Sequence, residues 1–155
     1  MAKRNIFRGL AAVLALGMCM TGIAGCGSEK RADGKTEIEV VSYKPEAVKA
    51  FEKIEKRFNE THDDIHLTIS SPNEAMTILK TRFIREDYPD IIAIGGDINY
   101  SNFLDADLFE DISGLDEVQT VKQAYLDMDK ELEFIPKDGT YALPYVANAA
   151  GILYN

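Results

Sequence analysis

Tyr43, Lys44 and Glu46 stand directly after a β-branched run, Asn73 follows a second such run, and Gly95-Gly96-Asp97 follows a third. Asn148 precedes a last apolar run, Ala150 to Tyr154. Tyr43 offers an aromatic ring with a polar tip, while Lys44, Glu46, Asn73, Asp97 and Asn148 can form charge-assisted or bidentate hydrogen bonds. A stacking ring beside planar polar groups suits a sugar. Taken singly, Tyr43 reads as well as a strand-end residue, and Asp97 as well as a helix cap.

Other chemistries find less support. His62 and His66 are the only histidines, and no Gly-x-Ser-x-Gly elbow occurs, so Ser-His catalysis has no basis. The two histidines have a metal-ligand spacing, but the expected helix ends between them and no third ligand is evident. Asp127-Met128-Asp129 starts like a calcium loop yet lacks the sixth-position glycine. Gly95-Gly96 lacks the Lys-Ser/Thr ending and the third glycine of the nucleotide fingerprints. No metal and no cofactor is expected. The acid pairs Asp105 with Asp107, Asp127 with Asp129 and Glu131 with Glu133 leave open a glycosidase-like couple.

The elements that must position these groups alternate. Glu37 to Tyr43 predicts a strand that stops at Lys44-Pro45, and Pro45 suits the first turn of a helix, where its missing N–H is no loss. Ala47, Val48, Phe51, Ile54 and Phe58 then form one apolar stripe, with Glu46, Lys49, Lys53, Lys56 and Arg57 facing water and an end near Thr61. Ile65 to Ser70 alternates as a second strand. A helix should start at Asn73-Glu74 and carry Met76, Leu79, Phe83 and Ile84 to the break at Tyr88-Pro89. Asp90 to Ile94 reads as a short strand buried on both faces. Beyond it come a short helix (Asn99 to Ala106), Leu108 to Ile112, and a longer helix from Val118 to Leu132 with Val121, Ala124, Tyr125 and Met128 inward. A turn at Lys137 to Thr140, an extended Tyr141 to Tyr145 and a final strand from Ala150 to Tyr154 close the chain.

This alternation argues for an α/β fold with a mainly parallel sheet and helices on both faces, and ligands of such sheets sit beyond the carboxyl ends of the strands. The residues singled out at the start occupy those ends. A strand running to the last residue points to a truncated lobe.

Composition narrows the class. The chain has 155 residues, 46% of them hydrophobic, enough for one compact domain, without repeats or low-complexity segments. Three of the 17 basic residues precede position 26 and none of the 26 acidic ones does, so residues 26–155 carry a formal net charge of −12. So acidic a surface argues against nucleic acid, because phosphate contact needs clustered Lys or Arg.

Lys3, Arg4 and Arg8 precede an apolar run from Leu10 to Met20, the pattern of a signal peptide and too short for a spanning helix. Ile23-Ala24-Gly25-Cys26 resembles the lipobox of bacterial lipoproteins. The resemblance implies cleavage before Cys26, a diacylglycerol thioether on Cys26 and acylation, as with palmitate, of the new amino group, with two or more chains giving lasting attachment. Cys19 lies in the segment to be removed, so no disulfide framework is left. The layout expected is a signal peptide over 1–25, a lipidated Cys26 with a polar tether over 26–36, and a lobe over 37–155.

The helix stripe Phe51 to Phe58, Tyr88-Pro89-Asp90-Ile91-Ile92, Phe103 to Leu115, Asp138 to Tyr145 and Gly151 to Asn155 together resemble the extracellular solute-binding proteins of ABC importers. The likeness is to their family 1 carbohydrate-binding group, which contains maltose-binding protein. It implies a periplasmic-binding-protein-like lobe, the first of two that close on ligand like a flytrap. Asp97 falls where the group places an acceptor for sugar hydroxyls, Asn148 where a polar contact precedes the hinge, and Tyr43, Lys44 and Glu46 in the first strand-helix loop, which also contributes; Gly96 is a candidate as a strand-end residue beside Asp97. At Ile94 maltose-binding protein often has an aromatic, so the resemblance does not extend to a malto-oligosaccharide in particular. The function implied is a monomeric, lipid-anchored receptor on the outer face of the cell membrane. It would capture a carbohydrate for an ABC permease without making or breaking a bond. The alternatives are a secreted carbohydrate-active enzyme using an acid pair, and a receptor for a polyamine, peptide or metal chelate.

Overall fold

The computed structural model of the protein describes residues 32–147 together with 151 and 152. The signal segment, Cys26, Asn148 and most of the expected final strand lie outside the described residues, and Gly151 and Ile152 carry no regular structure.

Three strands make one parallel sheet. The β-branched run gives β1 (Thr36–Ser42), which pairs with β2 (Ile65–Ser70) on one side and β3 (Ile91–Ala93) on the other, in the order β2-β1-β3. The register runs from Thr36 opposite Ile65 to Val41 opposite Ser70, and from Val40 opposite Ile91 to Ser42 opposite Ala93. Parallel pairing demands a crossover between strands. The crossovers are α1 (Val48–Thr61), entered through a 3-10 turn at Pro45–Ala47, and α2 (Ala75–Ile84). The mainly parallel α/β sheet read from the sequence is therefore present, with β1, α1 and β2 within a residue or two of expectation.

Helix α1 sits against β2 with a face turned slightly from its apolar stripe: Phe51 and Phe58 are covered as expected, while the other end of the stripe is not. Ile54 is 53% exposed, and Val48 is also on the outside. Glu55 and Asn59 turn inward instead. Asn59 Oδ1 accepts from the Leu67 N–H at 2.8 Å, Asn59 Nδ2 donates to the Leu67 carbonyl at 2.8 Å, and Glu55 Oε2 accepts from the Ile69 N–H at 2.8 Å. These are backbone groups on the side of β2 away from β1, so the helix closes a sheet edge that would otherwise present unpaired donors and acceptors. His62 ends the helix, its ring stacked on Phe58 at 3.9 Å.

Helix α2 buries Ala75 and Leu79, the latter completely. Arg82 of α2 grips Glu39 of β1 through two hydrogen bonds of 2.7 Å and reaches Asp87 as well. Asp90 Oδ2 accepts from the Glu39 N–H at 2.8 Å. Such bidentate pairing is stronger than a point contact, and it holds the guanidinium above its ordinary pKa. Ile84, expected on the apolar side, is exposed on the last turn of the helix.

Strand β3 corrects a second expectation: Ile91 is 51% exposed, so the strand is not buried on both faces among the described residues, and it lies at the edge of the sheet, paired on one side only.

The next helix, α3 (Ile98–Asp105), buries Tyr100, Phe103 and Leu104. Phe103 meets Phe83 edge-on at 5.0 Å and Phe109 at 6.3 Å, and Phe109 stacks on Tyr100 at 5.7 Å. An aromatic chain thus joins α2 to α3. Leu108 to Ile112 forms no strand. Its shape is set by Asp111, which accepts from the Ser113 N–H at 2.9 Å and the Thr140 N–H at 3.0 Å. Gly139 sits in the left-handed region at φ +104°, and a Cβ there would come within 2.7 Å of the Asp111 carboxylate.

The long helix expected over Val118 to Leu132 is split. A 3-10 turn covers Asp116–Thr120, Val121 and Lys122 are extended with ψ of 137° and 132°, and α4 covers Gln123–Glu131. Its inward face also differs: Met128 is 56% exposed and Ala124 and Tyr125 face out, while Leu126 and Asp129 are the more covered positions. Tyr141 to Tyr145 joins no strand. Among the described residues no helix is long and apolar enough to cross a membrane.

Candidate ligand-binding site

The register brings Ser42, Ser70 and Ala93 to one edge of the sheet, so the chain leaves all three strands at the same level. That edge is stitched by local hydrogen bonds. The Tyr43 N–H donates to the Ala93 carbonyl at 3.1 Å, Ser71 Oγ donates to the Ser42 carbonyl at 3.2 Å, and the Lys44 N–H donates to Ser42 Oγ at 3.2 Å. Ser42 is fully buried. Tyr43 and Lys44 therefore leave β1 from a fixed point.

Tyr43, Lys44, Glu46 and Asp97 come together there. A Cβ built on Gly95 would lie 3.2 Å from the Tyr43 hydroxyl oxygen and 3.3 Å from Asp97 Oδ2, so both oxygens close on Gly95 and a side chain at that position would crowd them. Asp97 is the N-cap of α3: its Oδ1 accepts from the Asn99 N–H at 2.8 Å and from Asn99 Nδ2 at 3.0 Å. The cap and the ligand readings of Asp97 are compatible, because Oδ2 makes no hydrogen bond with another described residue. Lys44 Nζ lies 4.7 Å from the centroid of the Tyr43 ring and 3.7 Å from Glu46 Oε1. Interaction with the Tyr43 side chain, and to a lesser degree with Glu46, raises the Lys44 ammonium above its ordinary pKa, so it is a firm cation.

The other predicted positions divide. Asn73 stands exposed on the turn after β2, and no hydrogen bond or ion pair joins it to Tyr43, Lys44 or Asp97. Gly96 packs under Leu132, whose Cδ1 would be 3.0 Å from a Cβ there, which gives it a close-packing reason to be glycine. Asn148 lies outside the described residues. Tyr145 was not singled out from the sequence as a site residue. Burial raises its phenol pKa, and Tyr43 and Glu46 add to the shift while Lys44 opposes it, which puts Tyr145 in the electrostatic neighbourhood of the cluster. Its signal was a second tyrosine in Tyr141 to Tyr145, a stretch without periodicity to orient it.

One acid of each pair is engaged elsewhere. Asp107 is bonded to Lys137, Asp127 accepts from Gln123 at 2.8 Å, and Glu133 is 2.9 Å from Lys130. Among the described residues no group of three His, Cys, Asp or Glu is placed to hold a metal ion. Ring, ammonium, carboxylate and free acceptor oxygen, gathered at the carboxyl ends of parallel strands, form a polar ledge suited to hydroxyl-bearing ligands.

Known proteins are similar to this chain in sequence and in fold. A multiple sugar-binding protein of Streptococcus mutans serotype c is 28% identical over 144 residues, covering 90% of this chain and 33% of that protein. The apo form of RafE from Streptococcus pneumoniae superposes with a TM-score of 0.56 at 30% identity, over 60% of this chain and 24% of that one. RafE in complex with raffinose gives a TM-score of 0.55 at 30% identity over the same shares. The chain thus spans about a third of the length of its curated relative. Residues 37–155 match the model of the bacterial extracellular solute-binding proteins, and the chain belongs to that family.

Proposed function

We propose that the protein is the substrate-binding component of an ABC importer, that it captures a sugar or oligosaccharide, and that Tyr43, Lys44, Glu46, Asp97 and Asn148 supply this lobe's share of the site. The observation that carries the reading is the ledge after β1 and β3, where Asp97 spends one oxygen on capping α3 and leaves Oδ2 to accept from a hydroxyl. Likeness to a multiple sugar-binding protein and to RafE solved with raffinose supports carbohydrate as the solute class. Gly96, in the loop after β3, and Asn73, on the turn after β2, complete the proposed set.

Residues 37–155 are read as the first lobe of a two-lobed domain that closes on its ligand and presents both lobes to the permease, with no bond made or broken. Residues 1–25 are read as the signal peptide, Cys26 as the lipid-bearing residue, and 26–36 as the tether that holds the domain at the outer face of the membrane. Mass spectrometry of the Cys26 peptide checks the anchor: the expected result is a diacylglycerol adduct, absent in Cys26→Ser.

The test of binding is a thermal-shift titration of the full chain against mono- and oligosaccharides, raffinose included, repeated with Asp97→Ala. A saturable rise in midpoint with one sugar, weakened in the variant, is expected. No shift with any sugar but one with a polyamine, peptide or chelate would keep the fold and overturn the solute class. Chromatographic detection of cleaved sugar would replace the receptor with an enzyme.

A further inference from the structure

The three atoms that a Cβ on Gly95 would first meet all belong to two residues of the strand-end ledge: the Tyr43 hydroxyl oxygen at 3.2 Å, Asp97 Oδ2 at 3.3 Å and Tyr43 Cζ at 3.5 Å. The first two are closer than a carbon in ordinary contact comes. The backbone itself has no need of glycine here, since φ is not positive at Gly95 as it is at Gly34 and Gly139. The chain is also pinned on both sides of it, for the Tyr43 N–H donates to the Ala93 carbonyl at 3.1 Å and the Asp97 N–H to the Gly95 carbonyl at 2.9 Å. What the missing side chain permits is the approach of two polar atoms to one spot, one from the residue after β1 and the other from the N-cap of α3.

Those two atoms differ in what they can do. A phenol hydroxyl both donates and accepts, whereas a carboxylate oxygen only accepts. Asp97 Oδ1 is already taken by the Asn99 N–H and by Asn99 Nδ2, so the carboxylate cannot swing Oδ2 far without breaking the cap. A sugar ring presents neighbouring hydroxyls, each a donor and an acceptor, and an acceptor fixed beside an amphiprotic group complements such an edge. We propose, resting on the reading of the protein as a sugar receptor, that Gly95 is a positioning residue of the ledge. By carrying no side chain it lets the Tyr43 hydroxyl and Asp97 Oδ2 stand close enough to grip the hydroxyl edge of one sugar ring.

The test is calorimetric titration of the full chain and of Gly95→Ala with glucose, galactose, sucrose and raffinose, set beside their melting midpoints without sugar. Alanine in place of a glycine of ordinary φ stabilises a fold by restricting the unfolded chain, and the atoms it would meet here are side-chain ends that can give way. The midpoint should therefore hold or rise slightly, while affinity for the bound sugar falls about fivefold, the size of one weakened hydrogen bond. In a Tyr43→Phe background, which has no hydroxyl to displace, Gly95→Ala should cost no more than about twofold. Gly114→Ala, whose Cβ meets nothing within 4 Å, should leave affinity unchanged. If the parent binds a sugar and Gly95→Ala binds it equally, loses the same factor with and without the Tyr43 hydroxyl, or loses affinity only together with a fall in midpoint, the positioning role is overturned and the receptor reading stands. If the parent binds none of the four sugars, the receptor reading falls and the role of Gly95 falls with it.

Discussion

In residues 36–93 the backbone groups left over by three short strands are taken up by side chains from neighbouring elements: Asn59 and Glu55 on β2, Asp90 on β1, with Arg82 clamped to Glu39. Residues 94–147 have no strand to complete. They are held by the aromatic chain from Phe83 through Phe103 and Phe109 to Tyr100, and by a turn centred on Asp111. The first region is organised by hydrogen-bond direction and the second by packing, and the ledge lies where they meet, between Tyr43 on one side and Asp97 on the other. Directional bonds fix the strand ends closely, while the packed half buries Asp105 Oδ1 and Asp129 Oδ2 without a hydrogen-bond partner among the described residues.

The largest expected effects fall on the fully buried leucines of each half. Leu79→Ala and Leu104→Ala should each lower unfolding free energy by about 2–5 kcal/mol, read from urea denaturation. A small loss at Leu104 alone would show that the packed half adds little and would weaken the comparison. Arg82→Ala, which removes both bonds to Glu39 and leaves a part-buried carboxylate, should cost about 2 kcal/mol. Arg82→Lys should recover only part of this, because an ammonium cannot repeat the bidentate grip.

Asp129→Asn should act in the opposite direction. Burial raises this carboxyl from its ordinary 3.8 to about 6, so the folded protein holds the proton more tightly than the unfolded chain. Stability must then fall as pH rises from about 4 to 6 and stay lower above it. After discounting for partial exposure, Asn at this position should stabilise by about 1 kcal/mol at pH 7 and flatten that part of the pH profile. Thermal melts across pH 4 to 8 measure both. Met128→Ser should have the smallest effect, within about 0.5 kcal/mol, since Met128 stands outward on α4.

Legibility followed the same division. Strands β1 and β2 and helix α1 could be placed from period and from Pro45, because each is long enough for its pattern to repeat. The inward face of α1 was legible only in part: Phe51 and Phe58 are covered as their spacing indicates, but Glu55 and Asn59, polar residues, take the places of Val48 and Ile54 because they serve the sheet edge. Nothing in the sequence marks the break at Val121-Lys122, where neither glycine nor proline stands, and Asp129 on a half-covered face runs against any apolar stripe. Tyr43, Lys44, Glu46 and Asp97 were readable as neighbours because parallel strands deliver their ends to one edge. The approach of Tyr145 was not, since it depends on the path of an irregular segment.

The most direct test of the strand-end ledge is an amide chemical-shift map of the full chain as a binding sugar is added. Saturating shifts concentrated in residues 43–46 and 95–99, with those around Asp129 unmoved, are the expected result. Shifts centred on α4 or on α1, with the strand ends silent, would contradict it.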